Sequence, residues 1–333
     1  MTTRSASAAA PVKLALAVAV LCGLVGCAAA TAGPAGAGHA GAGGQTGAGA
    51  ARSGAAGPGA ETAGPSEPGS SAVTTTPGPA KVIVTQVVLA DGHLMTVARF
   101  TGSVRLVLHC GSTDPGRRCP NSLSAGPAVA RSDRRLLVAA FNGGFKLSAQ
   151  VGGYEQEGRI ISPLVPGRAS LVIDSSGAAS IGIWGQDVPK PGESVYSVRQ
   201  NLNSLVSNGQ PTAAAFGNWK EWGGTLTGVD DTARSALGQN ASGQLIYVAS
   251  MSATPVDLAQ TLVRFGARIG MELDINPEWV QLAYSRKAGG PLTSGVTGQV
   301  RPADQYLVGW TRDFVAVLAN WVPTPGPGIH IRS

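Results

Sequence analysis

Between Ala28 and Ala80 the chain carries a single aliphatic or aromatic side chain larger than alanine, Val73. The rest is almost entirely Ala, Gly, Pro, Ser and Thr, with few charges. Such a stretch cannot bury enough apolar surface to offset the entropy lost on ordering it, so it predicts a disordered tether. As a flexible coil it reaches roughly 40 Å. His39 lies within it and has no expected role. Whatever packs a core therefore lies beyond about residue 80.

Ahead of the tether the chain reads as an export leader. Arg4 and Lys13 give a positive start, and residues 14–26 form an apolar run too short for a comfortable membrane span. The run closes in Leu24-Val25-Gly26-Cys27, which looks like a lipobox. That resemblance implies cleavage before Cys27 and a diacylglyceryl group on its sulfur, an anchor that holds without spanning. Ordinary secretion with cleavage near Ala28-Ala29-Ala30 is the alternative. The expected organisation is a leader over 1–26, a tether over 27–80, a folded domain over 81–323 and a tail over 324–333. The expected location is the outer face of the cell membrane, lipid-anchored, or else the medium.

The formal charge is +6, with the basic residues dispersed or in short clusters such as Arg117-Arg118. No basic stripe interleaves with aromatics, so nucleic acid is not an expected partner. An anionic envelope polymer is compatible with this charge but not indicated by it. Cys110 and Cys119, nine apart in a turn-rich segment, read in an exported chain as one disulfide. A metal site is the alternative, but His109 is the one further ligand type at hand.

The domain body reads mostly as strands. Residues 81–89, 95–100, 104–109, 136–141 and 244–249 are apolar runs rich in Val, Ile, Leu or Thr, bounded by turn residues. Residues 170–173 and 179–184 flank Asp174-Ser175-Ser176-Gly177, a hairpin signal. One helix is predicted: Thr254 as N-cap, Pro255 in the first turn, Asp257 three residues after the cap, then Leu258, Leu262 and Phe265 as an apolar stripe, and Gly266 as stop. Residues 267–275 follow as a strand. The fold class expected is α+β, a strand-rich mixed-sheet domain with few helices after the disordered tether.

Chemistry concentrates in three segments. Asn142-Gly143-Gly144-Phe145 is either a tight hairpin turn or a glycine turn that lets backbone approach a ligand while Asn142 offers its amide. Arg234, after Asp230-Asp231, is either a surface ion pair or an anion clamp. In Met271–Trp279, alternation puts Glu272, Asp274 and Asn276 on one strand face, opposite Met271, Leu273 and Ile275. Carboxylates at i and i+2 can share a proton, hold a cation or divide acid and base roles. The plain alternative is an edge strand with solvated charges, although a helix crossing back over the sheet places this strand toward the interior.

These segments, in this order, resemble the phosphodiester glycosidase family, the N-acetylglucosamine-1-phosphodiester alpha-N-acetylglucosaminidase-like domain. The matching pieces are Asn142–Phe145, Arg234 with Gly238, and the block from Asp257 to Asp274 with Leu258-Ala259, Gly266-Ala267 and Leu273-Asp274. The resemblance implies cleavage of a sugar anomeric carbon–phosphodiester bond, through an oxocarbenium-like transition state beside a departing phosphate. It implies that Arg234 takes the phosphate, that Asn142 orients it or a sugar hydroxyl, and that Asp274 acts as nucleophile, base or stabiliser, with Glu272 second.

The chain departs from the family after Asp274. The family continues with a glycine run; here Ile275-Asn276-Pro277-Glu278-Trp279 follows. Gly143, Gly144, Asn276, Glu278 and Trp279 are the expected substrate contacts. Trp219 and Trp222 are further candidates for stacking on sugar, with core packing the alternative and the expectation for Trp184, Trp310 and Trp321. No cofactor is expected; a divalent cation is compatible but not indicated. Two function classes follow: an envelope-anchored hydrolase of a carbohydrate phosphodiester, or a non-catalytic glycan-binding lipoprotein on the same scaffold.

Overall fold

The computed structural model describes residues 78–226 and 228–320. The leader, Cys27, all but the last three residues of the expected tether, Trp321 and the tail lie outside the described residues. The first strands are β1 (Lys81–Val88), β2 (Leu94–Thr101), β3 (Val104–His109) and β4 (Leu137–Asn142). Short strands follow: β5 (Tyr154–Gln156), β6 (Arg159–Ser162), β7 (Ala169–Ile173), β8 (Ala179–Ile183), β9 (Ser197–Gln200), β10 (Ser204–Ser207) and β11 (Gln210–Pro211). Then come β12 (Thr232–Asn240), β13 (Leu245–Ala253), α1 (Pro255–Arg264) and β14 (Ala267–Glu272). The last elements are β15 (Leu282–Tyr284), β16 (Thr293–Ser294), the single turn α2 (Gln305–Val308) and β17 (Phe314–Ala319).

These strands form three sheets. The largest has the order β1-β2-β13-β12-β14-β10-β11; the others are β16-β15-β4-β17-β3 and β6-β5-β9-β7-β8. Every pairing between these strands is antiparallel. The α+β, strand-rich architecture expected from sequence is therefore present, with antiparallel ladders as its substance.

The main core fills the space between the sheets. Phe100, Leu108, Phe141, Leu171, Leu237, Tyr247, Met271, Leu273 and Val317 all belong to it. The opposite face of the large sheet is covered by α1, whose Leu258, Ala259 and Leu262 are buried against Val206, Ala236 and Val248. The helix starts as predicted: Thr254 and Asp257 form a reciprocal capping box, with Pro255 in the first turn. Close packing explains Gly238 and Gly270: an added Cβ would approach the Leu262 methyls to 2.8 and 2.7 Å.

The predicted hairpin around Asp174–Gly177 forms between β7 and β8. The Asn142-Gly143 hairpin does not. Strand β4 pairs with β15 and β17, both far away in sequence, and beyond Asn142 the chain leaves the sheet. The turn chemistry is overridden because β4 is the central strand of its five-stranded sheet, paired on both sides with strands distant in sequence. Strand β14 lies between β12 and β10, so the edge-strand reading of Glu272 is excluded by placement.

The disulfide between Cys110 and Cys119 is present. Among the described residues no helix is long and apolar enough to cross a membrane.

Candidate active site

Arg234 and Glu272 come from neighbouring central strands and form a buried ion pair, Nη1 to Oε1 at 2.8 Å, with both side chains 0% exposed. Arg234 also donates to the carbonyls of Trp222 (3.1 Å), Ala253 (3.0 Å) and Asp230 (3.0 and 3.3 Å). Each guanidinium nitrogen is thus engaged by protein. The surface-pair reading of Arg234 does not hold, and its guanidinium is turned inward and closed to solvent. Glu272 has an unpartnered buried oxygen, Oε2. Burial pushes its carboxyl up to about 7, against the pull of Arg234.

Asn142 belongs to the other side of the large sheet. Its Nδ2 donates to Ser235 Oγ at 2.8 Å, and its Oδ1 accepts from Tyr247 Oη at 2.8 Å and from the Gln281 N–H at 3.3 Å. Arg234 and Ser235 are consecutive on β12 and so face opposite ways. Asn142 and the Arg234–Glu272 pair are therefore separated by the sheet. Ser235 Oγ links onward, donating to the Asp274 carbonyl at 3.1 Å and accepting from the Asp274 N–H at 3.2 Å.

Gly143 and Gly144 are buried as well. The Gly143 N–H donates to the Asp313 carbonyl at 3.0 Å and the Gly144 N–H to Asp313 Oδ2 at 3.3 Å. A Cβ at Gly143 would collide with the Asp313 carboxylate, and one at Gly144 with the Arg199 guanidinium. Their smallness serves this second buried pair, Arg199 Nε to Asp313 Oδ2 at 2.7 Å.

Asp274 is the expected catalytic residue that meets open space. It lines a cleft of about 400 Å³ together with Asn276, Trp279, Lys146, Lys220 and Glu221. Its Oδ1 accepts from the N–H groups of Ile275 (2.7 Å) and Asn276 (3.0 Å). Its Oδ2 meets Arg312 Nη2 at 3.4 Å. Burial pushes the Asp274 carboxyl up to about 7, although Arg312 and the two backbone N–H groups pull the other way; nearby Asp313 adds to the rise. Arg312 also bonds Asp114 and the Gly144 carbonyl.

Trp279 stands at this cleft, half-buried, with Arg312 Cζ 4.5 Å and Lys146 Nζ 4.8 Å from its ring centre. Glu278 instead pairs with Arg301 at 2.5 Å and is not part of the cleft lining. Trp222 is core, its Nε1 donating to the Ala214 carbonyl at 3.0 Å. Trp219 is half-buried beside Lys220. Trp310 is buried and Trp184 packs at the edge of a small cluster, as expected.

Residues 312 and 313 were not singled out in the sequence, and neither were Asp114, Lys146, Arg199, Lys220 and Glu221. A signal was present for two of them: Arg312-Asp313 immediately precedes the uncharged apolar run of β17. Charges that abut a fully buried strand must find partners. For a cation, the described residues offer one convergence, Asp91, His93 and Asp257, whose ligand atoms lie within 4.8 Å of one another. His93 Nδ1 lies 2.9 Å from Asp257 Oδ2, and Nε2 3.4 Å from Asp231 Oδ2. None of these side chains lines the Asp274 cleft.

No protein-family model matches the chain, and no curated protein matches it. Among solved structures, the chain is similar to the zebrafish N-acetylglucosamine-1-phosphodiester alpha-N-acetylglucosaminidase catalytic domain, auto-inhibited by its pro-peptide. The two share 12% identity over 74% of this chain and 84% of that one, with a TM-score of 0.46. A hypothetical protein from Synechocystis is similar at 14% identity over 72% of this chain and 62% of that one, with a TM-score of 0.45. An exported protein from Burkholderia pseudomallei gives 14% identity over 68% and 74%, with a TM-score of 0.37.

Chemically, the cleft offers four things: a carboxyl held near neutrality, an aromatic face flanked by two cations, a second lysine and an exposed carboxylate. One Asp274 oxygen is fixed by backbone donors while the other is only loosely engaged. That geometry suits proton exchange with a water or hydroxyl in the cleft.

Proposed function

We propose that this domain hydrolyses a sugar-1-phosphodiester, with Asp274 as the general base. The carrying observation is the buried Asp274 carboxyl at the cleft, pushed up to about 7 and with Oδ2 only 3.4 Å-engaged. A base is most effective when its pKa lies near the working pH. Asp274 takes a proton from the water that attacks the anomeric carbon. Phosphate is a good leaving group, so little acid help is needed at the departing oxygen. Lys146 and Lys220 stand at the same cleft and offset the phosphodiester charge. Trp279 stacks on the sugar, and Asn276 reads a hydroxyl. Arg234, Glu272 and Asn142 set the strand geometry beneath Asp274 and do not touch substrate. In this reading the domain is exported and held by a lipid on Cys27, and its substrate is an envelope or extracellular glycan.

The second reading is a glycan-binding lipoprotein without turnover. The burial of Arg234 and Asn142 away from the cleft favours it. Hydrolysis of a panel of sugar-1-phosphodiesters by the full chain, with and without chelator, separates the two. The hydrolase reading expects product, and loss of product in Asp274→Asn. Binding without product supports the second reading, and unchanged hydrolysis by Asp274→Asn removes the role of Asp274.

A further inference from the structure

Strand β3 is the outer strand of its sheet, and among the described residues its free edge is used at two points only. The Leu106 N–H donates to the Gly177 carbonyl at 2.8 Å, and the Cys110 N–H donates to the Ala125 carbonyl at 3.1 Å. In an antiparallel strand the outward N–H and C=O groups recur at every second residue. Leu108 therefore points its backbone groups the same way as Leu106 and Cys110. Among the described residues nothing bonds the Leu108 N–H, the Leu108 carbonyl or the Leu106 carbonyl on that side. Leu108 is nevertheless 2% exposed. Buried backbone groups are almost always paired, with protein or with ordered water, so this stretch of edge is open to the backbone of a ligand strand.

The gap opens into a cavity of about 310 Å³ that shares no residue with the Asp274 cleft. Its walls are fixed. On one side Asp174 accepts the Ser176 and Ala178 N–H groups and shapes the turn that carries Gly177. On the other, Glu157 accepts the N–H groups of Ser124 and Ala125, just past the disulfide loop. Buried His109 also lines the cavity, stacked on Phe314 at 4.3 Å. Its Nδ1 donates to the Gly126 carbonyl at 2.9 Å, which leaves Nε2 as an acceptor with no partner among the described residues. Three acidic residues, Asp133, Glu157 and Asp174, line the cavity against one cation, Arg105, which pairs with Asp133 at 3.5 Å and leaves two carboxylates without a cationic partner among the lining residues.

We infer that this cavity is a second binding site, which takes a short extended peptide bearing a basic side chain by adding it to the edge of β3 at Leu108. One residue of an antiparallel ligand strand exchanges two hydrogen bonds with Leu108, and the caps at Gly177 and Ala125 limit the pairing to about three residues. The excess of carboxylates and the acceptor nitrogen of His109 select an ammonium or guanidinium on the ligand.

The test titrates the full chain with the capped tripeptide Ac-Ala-Lys-Ala-NH2, read by calorimetry and by hydrogen exchange over residues 106–110. The expected result is saturable binding with slowed exchange in that segment. N-methylation of the lysine amide removes one strand bond and is expected to weaken binding about fivefold to tenfold. Replacement of the lysine by glutamate weakens it by at least about tenfold. Four outcomes overturn the inference: no saturation at millimolar peptide, no protection at 106–110, equal binding of the glutamate or N-methyl peptide, or equal protection by N-acetylglucosamine in place of peptide.

Discussion

Replacing Arg234 by Met separates two roles for this residue, because one acts on stability and the other on substrate. The guanidinium is fully buried and spends every nitrogen on Glu272 and three backbone carbonyls. Removing one partner of such a pair leaves Glu272 buried without compensation and costs about 3–5 kcal/mol. For a domain of this size each kcal/mol moves Tm by about 2–4 °C, so Arg234→Met is expected to lose roughly 6–20 °C. The deficit has a pH signature. Glu272 is already pushed up to about 7 with Arg234 beside it, and rises further without it. At pH 5 the orphaned carboxyl is neutral and tolerable; at pH 8 folding must either ionise it in the core or hold its proton against the solvent. The loss therefore grows from pH 5 to pH 8. Adding Glu272→Leu recovers part of it, since an apolar pair of similar volume is often tolerated. Circular dichroism melts of the full chain and its variants read these shifts. An Arg234→Met protein that melts with the wild type at pH 8, yet has lost affinity for phosphosugar, refutes the reasoning and restores Arg234 as an anion ligand.

Other expectations follow from the same geometry. In the wild type, Glu272 and Asp274 have folded pKa values of about 7, above their ordinary 4.5 and 3.8, so the folded state holds protons that the unfolded chain has released. His93 is also raised: burial lowers it, but Asp257, Asp231 and Asp91 together outweigh that. These three contributions favour the fold at low pH and fade as pH climbs through the folded values, whereas buried His109, lowered to about 4 by desolvation, favours the fold as pH rises past its ordinary 6.5. The two carboxyls together outweigh that one imidazole, so Tm is expected to be higher at pH 5 than at pH 8. For activity, Asp274→Asn is expected to lower kcat by about 10²- to 10⁴-fold and to erase an inflection near pH 7 in kcat/KM. Trp279→Ala is expected to raise KM by roughly tenfold with little change in kcat, about the worth of one aromatic contact; a purely structural Trp279 lowers Tm instead. Thr254→Ala removes the α1 capping box and is expected to destabilise by about 1 kcal/mol in denaturant titrations.

The sequence told strands from helix well where the local signal and the tertiary demand agreed. Thr254, Pro255, Asp257 and Gly266 specify α1 within their own span, and the Asp174–Gly177 turn specifies a hairpin that forms. Asn142-Gly143 carries an equally strong local signal and fails, because β4 is claimed by β15 and β17 from more than a hundred residues away. The site shows the same division. Alternation singled out Asp274 as part of a polar strand face, but β14 ends at Glu272 and Ile275 packs in a different cluster from Met271 and Leu273, so Asp274 lines the cleft from the irregular segment past the strand. Alternation could not say that Arg234 and Asn142 lie on opposite sides of one sheet, or that Arg312 returns to Asp274 from 38 residues further along, since both depend on how three sheets stack. The charge pair Arg312-Asp313 was visible only as two ions ahead of an apolar run.

Strand β17 is the last described strand, yet it lies inside its sheet, between β4 and β3. It follows directly on Arg312 and Asp313, the residues that touch Asp274 and tie down Gly143 and Gly144. A chain threaded out from its N-terminus must hold β3 apart from the β4–β15 pair until this strand arrives to insert between them. Closure over such long separations is slow. The cleft is therefore among the last features to take shape: Asp274 gains its Arg312 partner, and Gly143 and Gly144 their Asp313 anchor, only when the last strand docks.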